Sequence, residues 1–154
     1  IGFVGTTGKN NPRLGYLDLI RREYPESFVG RAPYSRLSRI YSRSKIGFNY
    51  SIRNDVNMRM FEVLSCGALL LTNALRDNGL EDLFEDGKHL LTYRDPEEFN
   101  ALAGKYLKDE TAREKIAEEG HRWAVSRHTY GRRLGEMFNI MRKELLGRYA
   151  KLTL

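Results

Sequence analysis

The sequence predicts an α/β fold, in which a doubly wound parallel sheet is covered by helices on both faces. Short apolar strand patterns alternate along the chain with segments that repeat apolar residues at helical spacing, and this alternation is typical of parallel sheets. The stretch 57–72 combines the two patterns, because a short helix with a capping asparagine and a closing glycine leads directly into an unbroken apolar strand. A strand that is apolar on both faces belongs inside such a sheet.

Five strands and seven helices follow from these patterns. The predicted strands are residues 1–5, 27–30, 46–50, 68–72 and 89–93. The predicted helices are residues 12–24, 35–45, 57–67, 79–84, 96–108, 110–126 and 130–149, so the C-terminal segment is helical. Asn11 before Pro12, and Asp95 before Pro96, have the residue types that cap helix starts. Right-handed crossovers favour the strand order 2-1-3-4-5.

Length, charge and cysteine content limit the kind of protein. The 154 residues are enough for one domain, residues 1–154, and no apolar run reaches the roughly 20 residues of a membrane span. The single cysteine, Cys66, excludes an internal disulfide framework and fits the cytoplasm. A formal net charge of +6 favours an anionic partner, which can be a nucleic acid, a membrane surface or a phosphorylated small molecule. Because the chain starts without Met on an apolar strand, we expect it to be part of a longer protein.

The strand order places the turn after the first strand beside the loop after the third strand, and we call the space between them the crevice. Ligands of open α/β sheets bind at such a position. The glycines of this turn let an anion such as a phosphate approach the backbone closely. Lys9 and Arg13 supply two cations to bind it. Its spacing of glycines matches neither a P-loop nor the dinucleotide fingerprint, and an ordinary turn is the alternative. The candidate binding residues are Gly5, Thr6, Gly8, Lys9 and Arg13.

The start of the third helix forms the other wall of the crevice. Asn57 precedes free backbone N–H groups and the positive end of the helix dipole, and Arg59 lies in the first turn. Like charge excludes Glu62 from binding a phosphate, but it can accept hydrogen bonds from the vicinal hydroxyls of a ribose. A surface ion pair between Arg59 and Glu62 is the alternative. Cations for a diphosphate and a carboxylate for a ribose together describe a nucleotide site.

The order of motifs over nearly the whole chain resembles a known family. The motifs are residues 61–72, 79–88, 93–95 and 128–130, with Arg133. In this order they resemble the C-terminal domain of GT-B glycosyltransferases, in particular the bacterial group 1 proteins of the spore-maturation type. The resemblance implies a Rossmann-like domain that binds a nucleotide-diphosphate sugar, as the C-terminal half of a two-domain protein whose missing N-terminal domain binds the acceptor. It also implies sugar transfer without a metal ion or any cofactor besides the donor substrate.

The resemblance assigns roles to three of the candidate residues. Glu62 matches the second glutamate of the family's Glu-x7-Glu motif, which binds the ribose hydroxyls. Lys9 and Arg13 fall where basic residues of the family hold the diphosphate. Asn54 stands at the position of the first motif glutamate, with Asp55 beside it. We expect no catalytic residue within this domain, and we expect the isolated domain to be inactive.

Other interpretations remain open at this point. A non-catalytic module of the same fold would explain why the first motif glutamate is absent, and a nucleic-acid-binding module would use the basic surface. We expect no nucleic-acid partner. We also expect no metal site, because His121 and His128 lack a third ligand at a suitable spacing. The basic, amphipathic last helix is expected to pack on the missing domain or to contact an anionic membrane. The sequence leaves the base, the sugar, the acceptor and the stereochemical outcome open.

Overall fold

A computed structural model of the protein describes residues 1–8 and 11–152, with side chains up to residue 146. Five parallel strands form one sheet in the order β2-β1-β3-β4-β5, which confirms the predicted order. The strands are β1 (Gly2–Val4), β2 (Phe28–Gly30), β3 (Ile46–Asn49), β4 (Leu69–Asn73) and β5 (Leu91–Tyr93). Each strand except the two at the edges is therefore paired on both sides.

The described part of the chain contains seven helices, and helices pack on both faces of the sheet. They are α1 (Leu14–Glu23), α2 (Tyr34–Tyr41), α3 (Met58–Ser65), α4 (Leu80–Leu83), α5 (Pro96–Lys108), α6 (Glu110–Arg127) and α7 (Tyr130–Leu152). One apolar core lies between the sheet and α1 and α5, and the other lies between the sheet and α2, α3 and α4. Leu69 and Leu71 of β4 point into the first core and Leu70 points into the second. The apolar run in β4 is thus buried on both faces, as its sequence predicts.

The helix α1 begins two residues later than the sequence predicts. The side-chain oxygen of Asn11 accepts a hydrogen bond from the backbone N–H of Arg13 at 3.0 Å, as a capping residue does, but residues 12 and 13 form a turn and the helix starts at Leu14. The Asn11 carbonyl also accepts from the Leu14 N–H at 2.9 Å, which completes this turn. The turn therefore takes the place of the first part of the predicted helix. As a result Arg13, at the N-cap position, has only 7% of its surface exposed.

The connection from α3 to β4 follows the predicted pattern. Asn57 has extended backbone at the N-cap position, although its side chain makes no capping hydrogen bond. Gly67 ends the helix with a φ of 76°, in the left-handed region that favours glycine. The helix lies close against β3, because a Cβ at Gly47 would collide with the side chain of Val63. This close packing fixes where the start of α3 stands above the sheet.

The helix α7 keeps the apolar stripe that the sequence predicts but does not bury it. Its large apolar residues have between 44% and 63% of their surface exposed: Leu134, Met137, Phe138, Ile140, Met141, Leu145 and Leu146. Tyr130, at its start, is 73% exposed. None of the helices in the described part of the chain is both long and apolar enough to cross a membrane.

Candidate functional site

Arg59 extends from the first turn of α3 to the carboxyl ends of β1 and β3. Its Nε donates a hydrogen bond to the carbonyl of Val4 at 3.1 Å, and its Nη1 donates to Oδ1 of Asn49 at 3.0 Å. Its guanidinium carbon lies 4.8 Å from the centroid of the Phe3 ring. Three contacts to two strands therefore hold the guanidinium in one place, at the point where the sequence predicts an anion site.

Asn49 is the residue that positions Arg59, and the sequence analysis did not single it out. It is fully buried at the end of β3, and its Nδ2 donates to Oγ1 of Thr72 in β4 at 2.9 Å. Its backbone carbonyl accepts a hydrogen bond from the Tyr93 hydroxyl of β5 at 2.7 Å. With its side chain bonded on both sides, the amide presents its oxygen to Arg59 in a fixed orientation. One signal was available in the sequence, namely a polar residue that ends an otherwise apolar strand.

Gly5 allows Arg59 to reach this position. A Cβ at Gly5 would lie 2.7 Å from Nη2 of Arg59 and 2.8 Å from the Phe3 ring, which leaves no room for a side chain. The N–H of Gly5 donates to the carbonyl of Gly30 at 2.9 Å, so the backbone at Gly5 is fixed as well. The sequence predicts that Gly5 lets a ligand approach its backbone closely. In the structure, the group that approaches this backbone is the guanidinium of Arg59.

Arg13 brings a second positive charge to the same place. Its guanidinium carbon lies 5.2 Å from the centroid of the Phe3 ring, and its Nε is buried without a hydrogen-bond partner in the described part of the chain. Burial lowers the pKa of Arg13, and the neighbouring charge of Arg59 lowers it further. Neither arginine forms an ion pair with a described acidic residue. Two uncompensated cations at one ring favour a bound anion, because burying unpaired charge is costly.

Glu62 lies one helical turn after Arg59 and is half-buried. Burial raises the pKa of its carboxyl, and the charge of Arg59 acts in the opposite direction. The two side chains do not form the ion pair considered as an alternative, since Arg59 turns to the strands instead. The carboxylate makes no hydrogen bond or ion pair with any described residue, and so it keeps its capacity to accept hydrogen bonds from a ligand.

The remaining candidate residues differ in where they lie. The side-chain oxygen of Asn57 is buried without a partner among the described residues, at the start of α3. Thr6 and Gly8 are exposed on the turn, and a Cβ at Gly8 would contact no described atom within 4 Å. Lys9 lies outside the described residues. The structure thus brings Gly5, Arg13 and Arg59 together but places no partner among the described residues near Thr6 and Gly8.

Asn54, at the position of the first motif glutamate, is bonded to the loop after β4. Its Nδ2 donates to the carbonyl of Arg76 at 2.6 Å, and its Oδ1 accepts from the Arg76 N–H at 3.0 Å. Its own carbonyl accepts from Nδ2 of Asn78 at 2.9 Å, and its φ of 54° is in the left-handed region that asparagine tolerates. Both side-chain groups are used within the protein. Asn54 therefore holds its own loop to the loop after β4.

The two histidines considered as metal ligands have other contacts. Nδ1 of His121 is 3.0 Å from the carbonyl of Leu64, and His128 packs against the rings of Phe61 and Phe84. No cluster of three His, Cys, Asp or Glu side chains in the described residues could hold a metal ion. A reaction without a metal ion stays a prediction.

Comparisons with known proteins give a family and a fold. The sequence matches the family described as glycosyl transferase-like over residues 4–139, which is most of the chain. No curated protein gives a significant match. A sucrose-phosphate synthase from Thermosynechococcus elongatus has a similar structure, with a TM-score of 0.70, 15% identity and coverage of 95% of this chain and 38% of the synthase.

Two further solved structures are similar at lower TM-scores. The pneumococcal O-GlcNAc transferase GtfA, determined in complex with UDP and GlcNAc, gives 0.60 at 17% identity, over 94% of this chain and 29% of that one. A GtfA/B complex gives 0.56 at 14% identity, over 82% of this chain and 27% of that one. The chain therefore spans well under half the length of the solved chains that it matches.

Proposed function

The chain belongs to the glycosyl transferase-like family, and on this basis we propose that it binds the nucleoside diphosphate of a sugar donor for a glycosyl transfer reaction. One observation supports this proposal above the others. The guanidinium groups of Arg13 and Arg59 meet at the Phe3 ring without a described carboxylate to pair with them. A diphosphate supplies the negative charge that this site lacks. The similar transferase determined with UDP and GlcNAc supports the choice of a nucleoside diphosphate.

The arrangement also fits the chemistry of transfer. When a sugar leaves its donor, the bond between the sugar and the diphosphate breaks and negative charge develops on the leaving phosphate oxygen. Cations already in place stabilise that charge without reorganisation, and the start of α3 adds backbone N–H groups and a positive dipole end. Arg59 is suited to this role because Val4 and Asn49 hold it before any ligand arrives. Lys9 is proposed as a further contact on sequence grounds alone.

Glu62 is proposed to bind the ribose of the same donor. It is on α3, one helical turn after Arg59. A carboxylate without a partner in the described protein can accept both hydroxyls of a ribose. Asn57, whose side-chain oxygen also lacks a partner, is proposed as a neighbouring polar contact.

We place the acceptor site in a further domain of a longer protein, against which α7 would pack. The exposed apolar residues of α7, among them Phe138 and Leu146, form a stripe that would be covered there. Contact with an anionic membrane is the alternative occupant, and the cytoplasm is the proposed location, in keeping with the free thiol of Cys66. Hydrogen exchange that slows in α7 only when the longer protein is present supports packing on a domain. Slowing only with anionic vesicles supports the membrane.

A calorimetric titration with UDP, GDP and ADP tests nucleotide binding by the chain. We expect one of the three to bind more tightly than inorganic pyrophosphate, and we expect Glu62→Ala to remove most of that difference. Glu81→Ala is the matched control, because Glu81 is exposed on α4 and forms no ion pair with a described residue. Equal affinities of the wild type and Glu62→Ala for the preferred nucleotide would remove Glu62 from the site. Binding of none of the three would reject the proposal.

A nucleotide-binding module without transferase activity is the second candidate. The hydrogen bonds that Asn54 makes to Arg76 and Asn78 favour it, because they occupy the position of the first motif glutamate. A full-length protein that binds the nucleotide sugar but releases no sugar from it would support this candidate. A nucleic-acid module predicts instead affinity for DNA or RNA that falls steeply with salt and does not respond to nucleoside diphosphates.

A further inference from the structure

A second possible binding site lies at the open edge of the sheet, along β2. The structure contains a groove of about 990 Å³ there, which begins beside Ile1 and Lys45 and continues past Phe28 to Arg31. On one side it is lined by α2 and on the other by the segment that follows α1. We call this the basic groove. None of the described residues that line it belongs to the candidate donor site, and so the inference below does not depend on the function proposed above.

The charges in the basic groove are almost all positive. Among the described residues that line it, only Glu26 is acidic, and five are basic: Arg31, Arg36, Arg39, Arg43 and Lys45. None of these five forms an ion pair with a described acidic residue, whereas surface arginines such as Arg21 and Arg122 pair with acids three or four residues away. A concave surface with unpaired cations attracts an anionic partner.

The backbone of β2 offers hydrogen-bonding groups to the same groove. The N–H of Phe28 donates to the carbonyl of Ile1, and the carbonyl of Gly30 accepts from the N–H of Gly5, both at 2.9 Å. Because the backbone groups of successive strand residues point in opposite directions, those of Val29 point away from β1, to the open edge. The hydroxyl of Ser27, in the lining of the groove, is also buried without a partner in the described chain. An edge of this kind is a template for another extended strand.

The spacing of the arginines fits such a strand. Arg36 and Arg39 share one face of α2, where three helical residues span about 4.5 Å, and Arg43 lies two residues after the end of the helix. Side chains on one face of an extended chain recur about every 6.6 Å. The arginine side chain is long enough to reach an acid across this difference in spacing.

We propose that the basic groove binds an extended acidic polypeptide segment, which pairs with the edge of β2 and directs alternate carboxylates to Arg36, Arg39 and Arg43. Backbone pairing with Val29 supplies the register and the arginines supply the preference for acids. A flat membrane surface would not reach the backbone at the base of a groove. A nucleic acid would neutralise the arginines but has no peptide groups to pair with Val29.

Fluorescence anisotropy with a labelled, end-capped peptide of alternating glutamate and valine tests the proposal on the 154-residue chain. We expect binding at 0.15 M salt that weakens at least tenfold in the triple variant Arg36→Gln, Arg39→Gln, Arg43→Gln. The triple variant Lys115→Gln, Arg142→Gln, Lys143→Gln has the same change in charge outside the groove and should bind like the wild type. Thermal unfolding of both variants verifies their folding, and Arg39→Glu alone serves if the first triple variant does not fold.

A second probe separates strand pairing from charge attraction. The same peptide methylated at alternate backbone nitrogens keeps every carboxylate but cannot donate to the edge strand, and we expect it to bind at least tenfold more weakly. Equal binding of the methylated and unmethylated peptides overturns the proposal, as do equal losses in the two triple variants. Tighter binding of oligothymidylate or of phosphatidylglycerol vesicles, lost in the groove variant only, would also overturn it and would assign the groove to that partner.

Discussion

Two buried arginines, Arg13 and Arg113, differ in what surrounds them. Arg113 of α6 is 4% exposed, and its Nη2 pairs with Glu110 at 2.7 Å while its Nη1 donates to the carbonyl of Tyr106 at 3.0 Å. Arg13 is 7% exposed, has a buried Nε without a described partner, and has the cation of Arg59 as its neighbour. Burial of an arginine therefore does not by itself indicate a ligand-binding site. A buried arginine with a nitrogen that no described residue accepts a hydrogen bond from is a candidate for contact with a ligand.

The same contrast applies to the exposed arginines. Arg122 of α6 pairs with Glu118 at 2.9 Å and with Glu119 at 3.0 Å, and about three fifths of its side chain is exposed. Exposed pairs of this kind contribute roughly 0.2–1 kcal/mol at most to the free energy of unfolding. The net charge of +6 combines paired and unpaired basic residues and does not distinguish them. Only the structure shows which cations have no acidic partner among the described residues.

Replacing Arg59, which hydrogen bonds to β1 and β3 hold in place, is expected to have the largest effect on nucleotide affinity. Arg59→Met should lower the affinity for the preferred nucleoside diphosphate on the order of 100-fold, or about 3 kcal/mol, because it removes a charged donor to the diphosphate. Calorimetric titration measures the effect. Arg59→Lys keeps the charge but cannot reproduce the planar fork, so its affinity should fall between those of Arg59→Met and the wild type. Wild-type affinity in Arg59→Met would place the diphosphate elsewhere.

The second effect separates Arg13 from Arg113. Arg13→Met should weaken binding about tenfold, yet it should leave the free energy of unfolding of the ligand-free chain unchanged or increase it, because an unpaired buried charge is removed. Arg113→Met should leave binding unchanged and lower the free energy of unfolding by about 1–3 kcal/mol, since it breaks satisfied hydrogen bonds. Urea unfolding with and without nucleotide measures both quantities. Similar destabilisation by the two variants would show that Arg13 is a structural arginine.

The third effect concerns Glu62 and is smaller. Glu62→Gln should lower the affinity for the nucleoside diphosphate about fivefold, because an amide accepts hydrogen bonds less strongly than a carboxylate. The affinity for pyrophosphate, which has no ribose, should not fall. A matching loss for pyrophosphate would mean that Glu62 acts through Arg59 instead.

The raised pKa of Glu62 also makes the difference in stability between the wild type and Glu62→Gln depend on pH. Burial raises the pKa of the folded carboxyl above 4.5, so the folded protein binds this proton more tightly than the unfolded chain does. The contribution of Glu62 to the free energy of unfolding is therefore lost as the pH rises through the raised pKa. Glu62→Gln should be the more stable protein at pH 7, and the difference should shrink as the pH falls towards 4.5. Urea unfolding at several pH values measures it, and a difference that grows at low pH would contradict the buried environment.

The smallest expected effect is that of a paired surface arginine. Arg122→Gln should change the nucleotide affinity less than twofold and the free energy of unfolding by less than about 1 kcal/mol. It removes the same charge as a crevice variant but leaves the crevice intact. A large loss of affinity in Arg122→Gln would show that the overall positive field, and not the two crevice arginines, attracts the ligand.

Much of the fold follows from patterns that lie close together in the sequence. The helix-to-strand stretch ending in β4 and the closing Gly67 were predicted because helix ends and burial leave a local record in residue type. The five-strand order was predicted because crossovers between parallel strands are right-handed. The start of α1 was not, because the capping residue type marks the turn that begins at Asn11 and not the first helical residue, Leu14. Gly5, Arg13, Arg59 and Glu62 were selected as candidates from type and position alone.

By itself, then, the sequence determined the fold class, the strand order and the two chain segments that border the crevice. Only the tertiary structure decided that Arg59 turns to Val4 and Asn49 instead of to Glu62, and that Arg13 is buried beside it. It also decided that Asn54 is bonded to the loop after β4. The physical reason is distance along the chain. Secondary structure depends on neighbouring residues, whereas the partner of a long polar side chain depends on which strands lie side by side.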